Sequence, residues 1–182
     1  MDSIYLDNSA TTKTDDTVLA VMLPFFQEVY GNPSSTLNEY GYKASQAVRH
    51  AKNLLSSSFH ALSENDFIFT SGATESNNLA LRGCIFNFAK KAPHIITSQI
   101  EHESILQVCK QLEQEGVSVT YLPVGTDGIV KVSDVERAIT ENTNLISIMS
   151  ANNEIGTIQP IEEISAIARQ HRILFHTDAT QY

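Results

Sequence analysis

The stretch that decides the fold is "HIITSQIEHESILQVCKQLEQEGVSVTYLPV", residues 94–124. It opens with a short apolar, β-branched segment at 94–98 and closes with a second such segment at 117–124, and both are typical of strands. Between them, apolar residues recur at intervals of three and four, the spacing of the buried face of a helix. These residues are Ile105, Val108, Cys109 and Leu112. A strand, a helix and a strand in this order predict a crossover between parallel strands.

The same alternation continues on both sides of this stretch. Three further segments have the composition of strands: "DFIFTS" (66–71), "NLISIMS" (144–150) and "RILFHTD" (172–178). Helical patterns lie between most of the strands, and another one covers residues 43–55. We therefore predict an α/β fold with a mostly parallel sheet that is flanked by helices, and we expect its last strand to be buried on both faces.

Composition limits the classes of partner. The chain has 182 residues, of which 42% are hydrophobic, so it is long enough to form an ordinary core. Its net charge is −9 and its basic residues form no run, which argues against nucleic acid and anionic membranes as partners. Neither a leader pattern nor a membrane-spanning segment is visible, so we expect a cytoplasmic protein. Cys84 and Cys109 fall in helical patterns and are predicted to be structural.

Functional loops are expected at the carboxyl ends of parallel strands, where open α/β sheets bind ligands. The first such loop is "TSGATESNN", residues 70–78, in which a Ser-Gly turn leads into a helix that begins near Ala73 and Thr74. Free backbone N–H groups and the helix dipole favour an anion there. The spacing fits neither dinucleotide-binding nor triphosphate-binding motifs, so one small phosphate is the better candidate. The alternative is an ordinary turn capped by Thr74.

Two more loops offer polar side chains at this edge. His102 lies at a strand-helix junction, where its ring could lie over a bound ligand, although a solvated or capping histidine is the alternative. The segment "HESIL" lacks the second histidine of the zinc motif H-E-x-x-H, so no metal site is predicted. Asn152 and Asn153 offer amide donors after the strand at 144–150, and ordinary turn chemistry is the alternative for them.

The carboxylate of Asp178 follows the last strand. No lysine or arginine occurs in residues 173–182 to neutralise it, so its partner is expected to be a remote residue or a ligand. A phosphate site, an aromatic ring for stacking, an amide donor and a buried carboxylate together match pyridoxal 5′-phosphate. The ring nitrogen of this cofactor must keep its proton, and a neighbouring carboxylate favours the charged form.

Six segments carry a resemblance to a known family. They are "YLDNSATT" (5–12), "GNPSS" (31–35), "FTSGATESNNLA" (69–80), "SQIEHESIL" (98–106), "ANNEIG" (151–156) and "HTDATQ" (176–181). Their residues, order and spacing resemble the cysteine desulfurases of the NifS/IscS type within the class V aminotransferase family, over residues 4–182. The resemblance implies the large domain of fold type I pyridoxal-phosphate enzymes, with an N-terminal segment at 1–14 and a partial cofactor-binding domain at 15–182.

The resemblance also implies roles for single residues. Ala73 and Thr74 would hold the cofactor phosphate. His102 would stack on the ring and move protons, and Asp178 would hold the ring nitrogen. Asn153 and Gln181 would bear on the phenolic oxygen of the ring and on the substrate. Many members have a histidine shortly after "NPSS"; this chain has Leu37 and Asn38 in that region, and no role is assigned there.

The reaction that the resemblance implies converts L-cysteine to L-alanine and passes persulfide sulfur to acceptor proteins that build iron–sulfur clusters or thiolate tRNA. Members are homodimers. The family's Schiff-base lysine and persulfide cysteine lie beyond the position that corresponds to residue 182, so we expect this chain alone to be inactive, as the N-terminal part of a longer enzyme. Two alternatives stay open: a selenocysteine lyase on the same scaffold, and a non-catalytic half that acts as a binding or scaffold protein.

Overall fold

The computed structural model describes residues 3–88 and 92–182. It separates into two compact units, Met1–Phe69 and Thr70–Tyr182. The first unit contains the helices α1 (Asp16–Gln27) and α2 (Glu39–Ser58) and a short 3-10 turn at Glu64–Asp66. Asn38 caps α2, because its side chain accepts a hydrogen bond from the backbone N–H of Gly41. Residues 3–14 form neither helix nor strand.

The second unit is the predicted α/β layer structure. Its strands are β1 (His94–Ser98), β2 (Ser118–Leu122), β3 (Thr143–Ser147) and β4 (Leu174–His176), and its helices are α3 (Ala73–Phe88), α4 (Glu103–Gln114), α5 (Val132–Ala138) and α6 (Ile161–Gln170). The strands form one sheet in the order β2-β1-β3-β4, and every pair in it is parallel. The prediction of a parallel sheet flanked by helices is therefore confirmed.

Alternation along β1 explains why both faces of the sheet are covered. Ile95 points to a core formed with α3 and α4, which supply Leu81 and Ile105 among others. Its neighbour Ile96 points to the opposite core, formed with α5 and α6. Every residue of β1 and of β3 is buried, because these two strands occupy the centre of the sheet.

Two expectations about strands are wrong. Residues 67–70 form no strand, and Ile68 and Phe69 are largely exposed, so the apolar segment 66–71 has no partner strand among the described residues. Among the described residues, β4 pairs only with β3, at the edge of the sheet, and the last strand is not buried on both faces, since Leu174 is 41% exposed. Among the helices of the described residues, none combines the length and the apolar character needed to cross a membrane.

Candidate active site

The candidate site lies within the second unit, where β1, β3 and β4 end and α3 and α4 begin. Helices α3 and α4 both begin at this edge. The backbone N–H groups of their first turns point out of the helix N-termini, so the positive ends of two helix dipoles lie in this region. The side chains that the sequence singled out are distributed over the loops that follow these strands and over the first turn of α3.

Asp178 is buried, with 8% of its surface exposed. One carboxylate oxygen, Oδ1, accepts hydrogen bonds from the backbone N–H of Thr180 at 3.0 Å and from its hydroxyl at 2.6 Å. The other, Oδ2, accepts from the Nδ2 amide group of Asn77 at 2.8 Å. The expected remote partner therefore exists, and it is an uncharged amide on α3.

These contacts keep Asp178 ionised. Burial raises the pKa of its carboxyl group, but the hydrogen bonds from Thr180 and Asn77 outweigh burial and bring the pKa below its ordinary value. Within residues 3–88 and 92–182, no lysine or arginine forms an ion pair with it. A buried negative charge that is satisfied only by neutral donors is well suited to hold a cationic N–H group of a ligand.

A chain of hydrogen bonds joins Asp178 to His102. The Asn77 amide nitrogen that donates to Asp178 also donates to the hydroxyl oxygen of Ser104 at 2.9 Å. The hydroxyl of Ser104 lies 2.9 Å from Nδ1 of His102, and the backbone N–H of Ser104 donates to the same Nδ1 at 3.1 Å. The structure thus brings two predicted residues, from different loops, into one polar network.

His102 is the N-cap of α4, which is the capping role given above as the alternative for this histidine. Only Nδ1 is used in the cap, and the side chain is exposed, so its Nε2 edge is open to a ligand. His102 also lines a cavity of about 300 Å³ between α3 and α4, together with Thr74, Ser104 and Gln107 among others. Asp178 does not line this cavity.

The start of α3 is the predicted phosphate site. Helix α3 begins at Ala73, as expected from the sequence. The carboxylate of Glu75 turns back and accepts from the backbone N–H and the hydroxyl of Ser71, both at 2.7 Å. Within the described part of the chain, the hydroxyl of Thr74 has no hydrogen-bond partner. Because both donors of Ser71 are used by Glu75, an anion at this helix start would have to bind the donors of Ala73 and Thr74.

Asn153 and Gln181 lie at the same edge of the sheet, in the segments that follow β3 and β4. Asn153 is half-buried in the loop after β3, and its amide donates to the carboxylate of Glu154 at 2.9 Å. Gln181 is half-buried in the segment that follows Asp178. The neighbouring Asn152 is buried, and its Oδ1 accepts from the backbone N–H groups of Glu154 and Ile155, which is the turn chemistry named as the alternative.

Sequence reasoning missed Glu101. This residue is 5% exposed, and its carboxylate accepts from the hydroxyl of Ser98 at 2.7 Å and from the backbone N–H of Met149 at 3.0 and 3.1 Å. Burial raises the pKa of Glu101 to about 7, against the hydrogen bonds from Ser98 and Met149, which lower it, while the charge of Asp178 raises it further. Glu101 therefore fastens the loop that carries His102 to the end of β3.

The sequence analysis also missed Asn77, Ser104 and a second contact between the loops that Glu101 joins. The amide of Asn152 donates to the backbone carbonyl of Ile100 at 2.8 Å, which joins the same two loops a second time. The only local signal for these contacts was a polar residue at a position where a helix faces the sheet.

The cysteines are as expected: Cys109 is fully buried on α4, and burial raises its pKa to about 12. Cys84 is half-buried, and its pKa is also raised by burial.

Comparison with known proteins identifies the family of this chain. The family model described as aminotransferase class V matches residues 4–182. The chain is 51% identical over 180 residues to the mitosomal cysteine desulfurase of Encephalitozoon cuniculi, which covers 98% of this chain and 41% of that protein. A mitochondrial cysteine desulfurase of Drosophila melanogaster is 46% identical over 178 residues, covering 98% of this chain and 38% of its own length.

Solved structures show the same fold. A NifS-like protein superposes with a TM-score of 0.93 at 40% identity, over 98% of this chain and 49% of that one. A structure described as SspA in complex with cysteine has a TM-score of 0.91 at 41% identity, over 97% of this chain and 50% of that one. The chain thus spans less than half the length of the curated relatives and about half the length of these structures. Over residues 4–182 it belongs to the class V aminotransferase family, whose members depend on pyridoxal 5′-phosphate.

Proposed function

We propose that this chain forms the cofactor-binding part of a pyridoxal-phosphate-dependent cysteine desulfurase, which converts L-cysteine to L-alanine and passes the sulfur as persulfide to acceptor proteins. The observation that carries the proposal is Asp178, a buried and ionised carboxylate at the sheet edge, connected by hydrogen bonds to His102. The family match and the relatives named cysteine desulfurase support the reaction.

The residues present fit this cofactor. Its phosphate needs N–H and hydroxyl donors, and the first turn of α3 offers those of Ala73 and Thr74. Its ring nitrogen needs an acceptor that stays ionised, and Asp178 has a lowered pKa. Its ring face needs a flat partner, and His102 is exposed at the end of the hydrogen-bond chain from Asp178 and lines the same cavity as Thr74. When bound, the cofactor would supply an electron sink for bonds at the substrate Cα atom.

Each residue would then have a defined role. Asp178 would keep the proton on the ring nitrogen by accepting its N–H at a carboxylate oxygen. Thr74 and Ala73 would fix the phosphate and so the orientation of the ring. His102 would present Nε2 to the bound substrate and exchange a proton there. Asn153 and Gln181 would contact the phenolic oxygen and the substrate.

L-cysteine is the proposed substrate, and the structural relative SspA is described with cysteine. The proposed acceptors are iron–sulfur scaffold proteins or proteins of tRNA thiolation, and the proposed assembly is a cytoplasmic homodimer. Because the lysine and the cysteine that this chemistry needs have no matching motif in residues 1–182, the chain alone should release neither sulfide nor alanine.

Cofactor binding tests the proposal. Pyridoxal 5′-phosphate is titrated into the purified protein, and binding is followed by equilibrium dialysis and by the absorption of the cofactor. Asp178→Asn should weaken binding about tenfold or more, since a hydrogen bond to a charged group contributes about 1.5–3 kcal/mol. Thr74→Val should weaken binding of the phosphorylated cofactor and leave that of pyridoxal unchanged.

Glu163→Gln is the matched control, because Glu163 is an exposed carboxylate on α6. This variant should bind as the wild type does. Absence of binding to the wild type, or equal affinities for the wild type and Asp178→Asn, would contradict the assignment of this edge as the cofactor site.

A further inference from the structure

The hydrogen-bond chain between Asp178 and His102 has a fixed direction. An ionised carboxylate has no proton to donate, so the group of Asn77 that faces Asp178 must be its amide nitrogen. That nitrogen carries two hydrogens, and its second one points to the hydroxyl oxygen of Ser104 at 2.9 Å. The hydroxyl of Ser104 therefore accepts from Asn77, and its own single proton is left for another acceptor.

That acceptor is His102. Nδ1 of the imidazole ring lies 2.9 Å from the Ser104 hydroxyl oxygen, and it also receives the backbone N–H of Ser104 at 3.1 Å. With two donors directed at it, Nδ1 carries no hydrogen, and in the neutral ring the hydrogen must then be on Nε2. Asn77 is 3% exposed and Ser104 is 7% exposed, so water does not compete readily for these bonds.

We propose that Asn77 and Ser104 are positioning residues that connect the charge of Asp178 to His102: the Ser104 hydroxyl is held as a second donor to Nδ1, beside the backbone N–H of the same residue, so that Nδ1 carries no proton and His102 presents Nε2–H to the site. This inference rests on the proposed function for its meaning, since a ring that presents an N–H can hydrogen-bond a substrate anion or give up a proton before it can accept one. The tautomer itself does not depend on any bound cofactor.

The direction of the chain predicts how a remote change reaches His102. In Asp178→Asn, the amide oxygen of the new side chain takes the two donors of Thr180, and its amide nitrogen then faces Asn77. Two amide nitrogens cannot bond to each other, so the Asn77 amide turns over and presents its oxygen. That oxygen attracts the hydroxyl hydrogen of Ser104, and Nδ1 of His102 loses one of its two donors.

Nitrogen NMR of the histidine rings tests this inference in the protein of this sequence, labelled with ¹⁵N-histidine and held in mildly alkaline solution where imidazole is neutral. The chain has six histidines, and a His102→Gln variant identifies the signals of this ring. In the wild type, Nδ1 should give the signal of an unprotonated nitrogen that accepts hydrogen bonds, and Nε2 the signal of a protonated one.

The variants distinguish an effect passed along the hydrogen-bond chain from a general loss of structure. Asp178→Asn and Ser104→Ala should each shift the Nδ1 signal toward that of a ring nitrogen with fewer donors, and Ser104→Thr, which keeps the hydroxyl, should restore the wild-type signal. Adding Asp178→Asn to Ser104→Ala should cause no further shift, because the connecting hydroxyl is gone. Thr180→Val is the control, since it removes a donor to Asp178 outside the chain and should leave Nδ1 unchanged.

A proton on Nδ1 of His102 in the wild type would overturn the inference without any variant being needed. An effect of Asp178→Asn that is the same with and without the Ser104 hydroxyl would overturn it as well. Since no cofactor is added, these outcomes are independent of the titration with pyridoxal 5′-phosphate. A protein that binds no cofactor can still show the predicted tautomer, and one that binds it can fail to do so.

Discussion

At the scale of single residues, the two buried acids of the site behave in opposite ways. Asp178 has a lowered pKa because neutral donors outweigh its burial, whereas burial dominates for Glu101 and raises its pKa to about 7. The difference matters because the two charges repel each other. On mild acidification Glu101 loses its charge, whereas Asp178 keeps its own. The negative charge therefore stays on the residue that faces the proposed ring nitrogen.

The raised pKa of Glu101 predicts a pH-dependent stability. Between its ordinary value of 4.5 and about 7, the folded state holds a proton that the unfolded state has released, so the free energy of unfolding falls as pH rises through this interval. Glu101→Gln keeps the shape of the side chain and cannot ionise. The stability of this variant relative to the wild type should therefore increase across the interval by on the order of 3 kcal/mol.

Urea unfolding followed by circular dichroism at several pH values measures this difference. The exposed Glu163 provides the control, because Glu163→Gln should shift the stability by a nearly constant amount over the same interval. A constant difference between Glu101→Gln and the wild type would mean that Glu101 is ionised throughout and that its two hydrogen-bond donors offset burial.

At the scale of elements, two helical glycines predict opposite effects of the same substitution. A Cβ atom on Gly41, in the first turn of α2, would lie 1.9 Å from the carbonyl oxygen of Ser35. Gly83 lies inside α3, and a Cβ atom there would meet nothing within 4 Å. Gly41→Ala should destabilise the protein by about 1–3 kcal/mol, since the backbone must move. Gly83→Ala should stabilise it by roughly 0.5–1 kcal/mol.

Thermal unfolding of the two variants compares these effects, and each variant serves as the other's control for the loss of a glycine. A Gly41→Ala protein as stable as the wild type would show that the turn at Ser35 can move away without cost. A destabilised Gly83→Ala protein would show that the interior of α3 has no room for a methyl group.

The elements also show where sequence reasoning succeeds. It predicts β1, α4 and β2 correctly because their apolar spacing reports burial on one or both faces. It fails for residues 66–71, because an apolar segment becomes a strand only if a neighbour supplies hydrogen bonds, and for the burial of β4, which depends on the order of strands. The site follows the same rule: Asp178 and His102 stand out locally, whereas Asn77 differs from Asn78 only through a contact 101 positions away.

At the scale of the whole molecule, the two units differ in their cores. Among the described residues 3–69, only Gly41 and Ala44 are buried, and large apolar side chains such as Val21 and Phe26 are 70% exposed. The unit Thr70–Tyr182 contains two apolar cores, one on each face of its sheet. Local opening costs less free energy where few apolar groups are buried.

This difference predicts the pattern of amide hydrogen exchange. The helices α1 and α2 should exchange much faster than β1 and β3, whose residues are all buried. Exchange measured by mass spectrometry after pepsin digestion separates these segments. The helices α4 and α6 are the internal control, because they are helices of similar length to α1 and should be protected. Equal protection in α1 and α4 would mean that α1 is covered in solution, for example by self-association.

The arrangement of the sheet also suggests an order of events during folding. Strand β1 pairs with β2, the next strand along the chain, and β3 pairs with β4, so each pairing closes a comparatively short loop. The β1–β3 pairing joins the two halves. Two hydrogen-bond contacts join the loops that follow β1 and β3, namely Glu101 with Met149 and Asn152 with Ile100. The chain of hydrogen bonds from His102 to Asp178 likewise joins the loops that follow β1 and β4. We therefore expect the site to assemble late in folding, with the ligand-binding edge completed only when the β1–β2 and β3–β4 halves have paired.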